Sequence, residues 1–189
     1  HMEREPTKMI HNLPDELEEL RILGTCKYLN NIFSSIPMTK LKKLTIGIFY
    51  MGSPHYISEL DLQSIPSSVE EIVFDYNFNQ PLDYLPAKIK KITFGKFFNH
   101  LINFKNLPTS IEYLEFGYCY NKTIHEYPPN LKILKFGRNY SSKIFNLPHG
   151  LIKLEINEKF SSLILDLPTT LEILKFDENS EYSQLDKLE

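Results

Sequence analysis

Phe74 to Pro86 read FDYNFNQPLDYLP, and variants of this stretch return as FGKFFNHLINFKNLP from Phe94, FGYCYNKTIHEYP from Phe116, FGRNYSSKIFNLP from Phe136 and INEKFSSLILDLP from Ile156. Each copy closes on an apolar residue followed by proline. Extending outward, the same pair recurs at Leu13-Pro14, Ile36-Pro37, Ile65-Pro66, Leu85-Pro86, Leu107-Pro108, Tyr127-Pro128, Leu147-Pro148 and Leu167-Pro168. The prolines step by 23, 29, 20, 22, 20, 20 and 20 residues. A period this regular is the mark of a tandem repeat, in which each unit buries its apolar face against its neighbours.

Behind each proline comes one apolar spacing, LxxLxF or a close variant. It runs from Leu17, Leu20 and Ile22 through Val69, Ile72 and Phe74 to Leu171, Leu174 and Phe176. Counting the first of these residues as position one, positions four and six alternate with polar neighbours. That is the period-two signature of a strand with one buried face. Roughly 20 residues per unit leave room for a short strand and an extended return. Proline fixes φ and removes a donor, so the return is expected to be a tight turn or polyproline-like. The expected fold is an all-β-rich, right-handed solenoid with a curved parallel sheet on its concave face, extended segments on its convex face and little or no helix.

Position ten is aromatic in Phe78, Phe98, Tyr120, Tyr140 and Phe160, and position eleven is small and polar in Asn79, Asn99, Asn121, Ser141 and Ser161. The aromatics are expected to stack as a spine beneath the sheet, and the Asn/Ser column to satisfy backbone groups in the turn. An interruption near Phe49 to Ile57 predicts a longer surface loop. The chain is expected to divide into a tag remnant at 1–2, a partial repeat or cap at 3–12, eight short repeats at 13–176 and a polar cap or tail at 177–189.

These residues resemble the leucine-rich repeat, and FNQPL at Phe78 to Leu82 resembles the FNIP-type repeat of giant DNA viruses and social amoebae. The likeness runs from residue 10 to about 177. Position nine is mixed where leucine-rich repeats usually carry Asn. The resemblance implies a protein-interaction scaffold and, because relatives often carry an F-box, the substrate-recognition part of a ubiquitin-ligase adaptor. No F-box is visible in these residues.

Composition narrows the function. A net charge of -3 gives no bulk drive toward nucleic acid. No apolar run approaches the roughly 20 residues of a membrane span, so a soluble, cytoplasmic protein is expected, in the host cell cytoplasm if the chain is viral. Cys26 and Cys119 are its only cysteines, which offers neither a disulfide framework nor a cysteine metal site. His55, His100, His125 and His149 fall at different repeat positions, so stacking does not gather them. No nucleotide-binding or hydrolase motif occurs. The reading is non-enzymatic, with no cofactor and no metal.

The solvent-facing columns of the sheet differ from one repeat to the next. Position three reads Glu19, Lys43, Glu71, Lys91, Tyr113, Ile133, Lys153, Ile173, and position five reads Arg21, Thr45, Val73, Thr93, Glu115, Lys135, Glu155, Lys175. Parallel stacking sets opposite charges side by side, which fixes register. Tyr113, Ile133 and Ile173 break the alternation, with Tyr76 and Tyr118 nearby at position eight. Apolar residues among charges mark a candidate protein-binding strip, completed by Glu115, Lys135, Glu155 and Lys175. A module that stacks glycans or single-stranded nucleic acid on its tyrosines is the alternative, and the near-neutral columns argue against nucleic acid.

Overall fold

Strands form where the apolar spacing places them. The computed structural model describes residues 13–24, 26–35, 38–48 and 60–177. Eight strands, β1 (Glu19–Gly24), β2 (Lys43–Ile48), β3 (Glu71–Phe74), β4 (Lys91–Thr93), β5 (Tyr113–Glu115), β6 (Ile133–Lys135), β7 (Lys153–Asn157) and β8 (Ile173–Asp177), make one sheet in chain order. Every neighbouring pair is parallel and in repeat register, so Leu20, Leu44, Ile72, Ile92, Leu114, Leu134, Leu154 and Leu174 stand in one row. The fold is the expected parallel β-solenoid, with little helix.

The core is a set of columns running the length of the array. Positions one, four, six and ten are buried through the middle coils, each large apolar side chain contributing about 1.5–3 kcal/mol. Leu174 and Phe176 are exposed, because the coil of β8 has a described neighbour on one side only. The aromatic spine is double. Within a coil the position-six and position-ten rings lie 3.9 Å apart for Phe74 and Phe78, 4.0 Å for Phe94 and Phe98, 3.9 Å for Phe116 and Tyr120, and 3.8 Å for Phe136 and Tyr140. Between coils the spacings are 5.3 to 6.2 Å with near-parallel planes. The two ladders zip together in the interior, each ring offset on the next.

Polar side chains knit the turns from coil to coil. The Asn79 Oδ1 accepts the Asn99 N–H at 2.9 Å, the Asn99 Oδ1 accepts the Asn121 N–H at 3.0 Å, and the Asn121 Oδ1 accepts the Ser141 N–H at 2.9 Å. This is the role expected of the Asn/Ser column. The prolines open tight turns into the strands: the Pro86 carbonyl accepts the Ile89 N–H at 3.1 Å and the Pro148 carbonyl accepts the Leu151 N–H at 3.1 Å. Position seven is glycine in Gly95, Gly117 and Gly137, where a Cβ would come within 2.3, 2.0 and 2.1 Å of a carbonyl oxygen of the preceding coil. Here successive backbones approach more closely than any other residue permits.

Three returns depart from the extended path. The first forms α1 (Cys26–Ser35), with Leu29, Ile32 and Phe33 buried at helical spacing. No proline interrupts that segment, so a full amphipathic turn could form. Short 3₁₀ turns at Leu62–Ser64 and Phe104–Asn106 are opened by Asp61 and Asn103, whose side chains accept the N–H groups of Gln63 and Lys105. Gln80 spans the coils beside the first of these: its Oε1 accepts the Leu60 N–H at 2.9 Å and its Nε2 donates to the Leu60 carbonyl at 2.8 Å. The expected loop at Phe49 to Ile57, the segments 1–12 and the tail beyond Asp177 lie outside the described residues.

Candidate protein-binding face

The strand alternation that buries positions four and six turns positions three and five outward on one face. Register brings Lys91, Tyr113, Ile133, Lys153 and Ile173 into one row and Thr93, Glu115, Lys135, Glu155 and Lys175 into the next. Seven of the expected site residues, Tyr113, Glu115, Ile133, Lys135, Glu155, Ile173 and Lys175, therefore share this face. Tyr76 and Tyr118 stand beside it, in the turns that follow β3 and β5.

Charges along the columns pair as the alternation requires. Lys43 bridges Glu19 at 3.4 Å and Glu71 at 3.8 Å, and Lys91 reaches Glu71 at 3.0 Å. Glu155 takes Lys135 at 3.0 Å and Lys153 at 2.6 Å. Partial burial opposes its ionisation, but the hydrogen bonds from Lys153 and Lys135 prevail and hold its carboxyl below the ordinary range. A third alternating column lies at position two, with Lys42 on Glu18 at 2.9 Å, Lys90 on Glu70 at 2.7 Å and Lys132 on Glu112 at 2.8 Å. Its pattern, Glu-Lys-Glu-Lys-Glu-Lys, was open to the same reading of the sequence. Exposed pairs of this kind add little stability and serve mainly to set register.

Tyr113 differs from an open anchor. Its ring is half-buried, with the Lys91 ammonium 4.9 Å and the Lys135 ammonium 5.7 Å from its centroid, and its hydroxyl donates to Glu115. Burial, reinforced by the Glu115 hydrogen bond and charge, pushes its phenol well above the usual range. Ile133 is half-buried beside it, and Ile173 is 45% exposed. The strip thus joins an internally satisfied tyrosine to an apolar residue at its open end.

At the rim, Tyr76 is 37% and Phe97 42% exposed, and their rings meet edge to face at 5.0 Å. Lys96 donates to the Tyr76 hydroxyl at 2.9 Å, and its ammonium lies 5.1, 5.6 and 5.6 Å from the ring centroids of Tyr76, Phe97 and Tyr118. Lys96 and Phe97 carry no signal in the sequence, because positions eight and nine are chemically mixed.

The described residues contain no group of three or more His, Cys, Asp or Glu placed to hold a metal ion. Cys119 is a half-buried free thiol in the rim turn, whereas Cys26 is the first residue of α1. An open groove of about 790 Å³ runs over the proline turns, past Tyr127, Asn146, Pro148, His149, Asp166 and Pro168, and lies among the returns. Among the described residues no helix is long and apolar enough to cross a membrane.

A single parallel sheet with one strand per coil, a stacked aromatic interior and variable outward columns define a β-solenoid repeat protein. The FNIP Repeat family model matches residues 58–97 and 78–119, and the β-solenoid is consistent with a repeat protein of the FNIP type. No curated protein matches the chain.

Proposed function

We propose that this protein is a non-enzymatic interaction scaffold that receives a protein partner on the outward face of β5 to β8 and the adjoining rim. The observation that carries the reading is the contrast between columns. Positions one, four, six and ten repeat one chemistry, while Tyr113, Ile133, Lys153 and Ile173 occupy equivalent sites with different chemistry. A rigid array whose buried residues repeat and whose facing residues vary is how repeat proteins present a binding surface. Apolar anchors bounded by charge suit a protein partner. The alternative of stacking a glycan or nucleic acid needs open ring faces, and Tyr113 already lies beneath two ammonium groups.

Capture of partners from cell lysate by the immobilised chain tests the reading. A partner held by the wild type and by Tyr84→Ser, on the return side, should be lost at least tenfold with Ile133→Asp or Ile173→Asp. Undiminished capture by both Asp variants refutes a partner on this face. The F-box adaptor role is a finer proposal, tested by co-purification of ligase components with the native polypeptide.

A further inference from the structure

The described array is closed at β1 and open at β8. On β1 the core-facing Leu20 and Ile22 are 9% and 5% exposed, whereas their counterparts on β8, Leu174 and Phe176, are 40% and 51% exposed. Leu163, Leu165 and Leu167, in the return that leads into β8, are exposed as well, although Leu147 one coil earlier is buried. Apolar side chains gathered at one end of a stack mark a surface that something covers. In a solenoid that cover is a terminal unit with a polar outer face.

The returns carry a short ladder of their own toward that end. Ile144 and Ile164 bridge in parallel: the Leu163 carbonyl accepts the Ile144 N–H at 3.0 Å, and the Ile144 carbonyl accepts the Leu165 N–H at 2.9 Å. A parallel bridge of this form directs the N–H and carbonyl of Ile164 away from Ile144, to the open side. The sequence holds a segment that fits there. Steps of 20 residues turn Phe145-Asn146-Leu147 into Leu165-Asp166-Leu167 and then into Leu185-Asp186-Lys187. Asn146 and Asp166 share a left-handed backbone, each with φ of 55°, and Asp186 is of the residue type that tolerates it. Ile164 and Leu167 are succeeded by Gln184 and Lys187, the polar exchange that suits a terminal coil.

We propose that the open end is the docking site of this chain's own residues 178–189, which add one more return to the stack. Leu185 then packs on Leu165, the Ser183 carbonyl accepts the Ile164 N–H, and the Leu185 N–H donates to the Ile164 carbonyl. A second copy is the poorer occupant. Two copies joined edge to edge along β8 would meet strand to strand, while Leu165 and Leu167 belong to the return one coil below the joint and would stay uncovered. A segment tethered at Asp177, the last residue of β8, reaches that return and arrives at high effective concentration. The proposal stands on the open end and the period, and it is independent of the partner assigned to the sheet face.

Disulfide trapping in the full chain, with Cys26→Ser and Cys119→Ser as background, tests it. Leu165→Cys/Leu185→Cys should close an intramolecular disulfide at a rate within about threefold of Phe145→Cys/Leu165→Cys, the same pairing one coil earlier, and about tenfold faster than Leu165→Cys/Ser180→Cys. Hydrogen exchange gives a second readout without cysteines. Leu185→Asp should speed exchange at the Ile164 N–H about tenfold and leave the Ile144 N–H, which is held from the other side, unchanged. Equal trapping at Ser180 and Leu185, or an Ile164 amide indifferent to Leu185→Asp, overturns the proposal. Intermolecular disulfides, or Ile164 protection that disappears on dilution, assign the end to a second copy and overturn it equally. Neither readout involves the sheet face, so the scaffold reading stands or falls separately.

Discussion

Replacing Gly117 by alanine inserts one methyl group where two coils nearly touch. Its Cβ would sit 2.0 Å from the Gly95 carbonyl oxygen, about 1 Å inside the closest approach of 3.0 Å that such contacts show. That oxygen is backbone, so relief requires one coil to move against the other. The bond from the Cys119 N–H to the Lys96 carbonyl, 2.9 Å long, would stretch toward about 4 Å and cease to be a hydrogen bond. The Phe98–Tyr120 stack, with centroids 5.9 Å apart, would open with it. One or two lost hydrogen bonds at about 1 kcal/mol each, with overpacking at about 1–3 kcal/mol, give an expected loss of roughly 2–4 kcal/mol. Gly150 is the matched control. A methyl group there would meet nothing within 4 Å, so Gly150→Ala should be neutral or stabilise by about 0.4–1 kcal/mol through the unfolded chain. Urea denaturation followed by circular dichroism measures both. A Gly117→Ala protein within about 0.5 kcal/mol of wild type, or equal losses at the two sites, would refute the close-approach argument.

Asn121→Ala removes the acceptor for the Ser141 N–H and should cost about 1 kcal/mol; hydrogen exchange at Ser141 should accelerate, and unchanged protection there would contradict the asparagine ladder. Burial raises the phenol pKa of Tyr113, Tyr120, Tyr127 and Tyr140, with the Glu115 hydrogen bond adding to the effect at Tyr113. Above about pH 10, the ordinary tyrosine value, the unfolded chain releases these protons while the folded one keeps them. The unfolded state then binds fewer protons and stability falls as pH rises. Absorbance at 295 nm should show a late tyrosinate fraction appearing together with alkaline unfolding, and a single non-cooperative wave would refute it. The Glu155 carboxyl is depressed by Lys153 and Lys135 against its partial burial; its contribution is present above the ordinary carboxylate range and lost as pH falls through its folded value. Glu155→Gln should flatten the acid limb of a pH–stability curve in low salt, and an unaltered limb would discount that pair.

Much of this architecture could be read because a solenoid turns sequence period directly into spatial adjacency. The step of 20 from Pro66 to Pro86 places Ile72 beside Ile92 and Glu71 beside Lys91 without any tertiary calculation. The same step aligns Asn79 with Asn99 and lets one amide serve the next coil. What period could not reveal is contact within a coil. Phe74 reads as the end of a strand, and only the turn geometry folds it onto Phe78 at 3.9 Å. The helix was masked by the generality of the repeat: Leu29, Ile32 and Phe33 carry a helical spacing, but the coils around them return by extended paths. Tyr113 and Glu115 are two apart on a strand and so share a face, yet the engagement of the phenol depends on side-chain reach. Lys96 and Phe97 leave no periodic trace, because an exposed rim, unlike a core, has no reason to repeat.

Gln80 has a consequence for how such an array can change. Its amide offers Leu60 the same acceptor and donor that a neighbouring peptide group would, fastening the chain just where it re-enters the coil. The return into β3 is thus held by a residue of the coil that follows it, and any change to this array must keep the Leu60 peptide group within reach of Gln80.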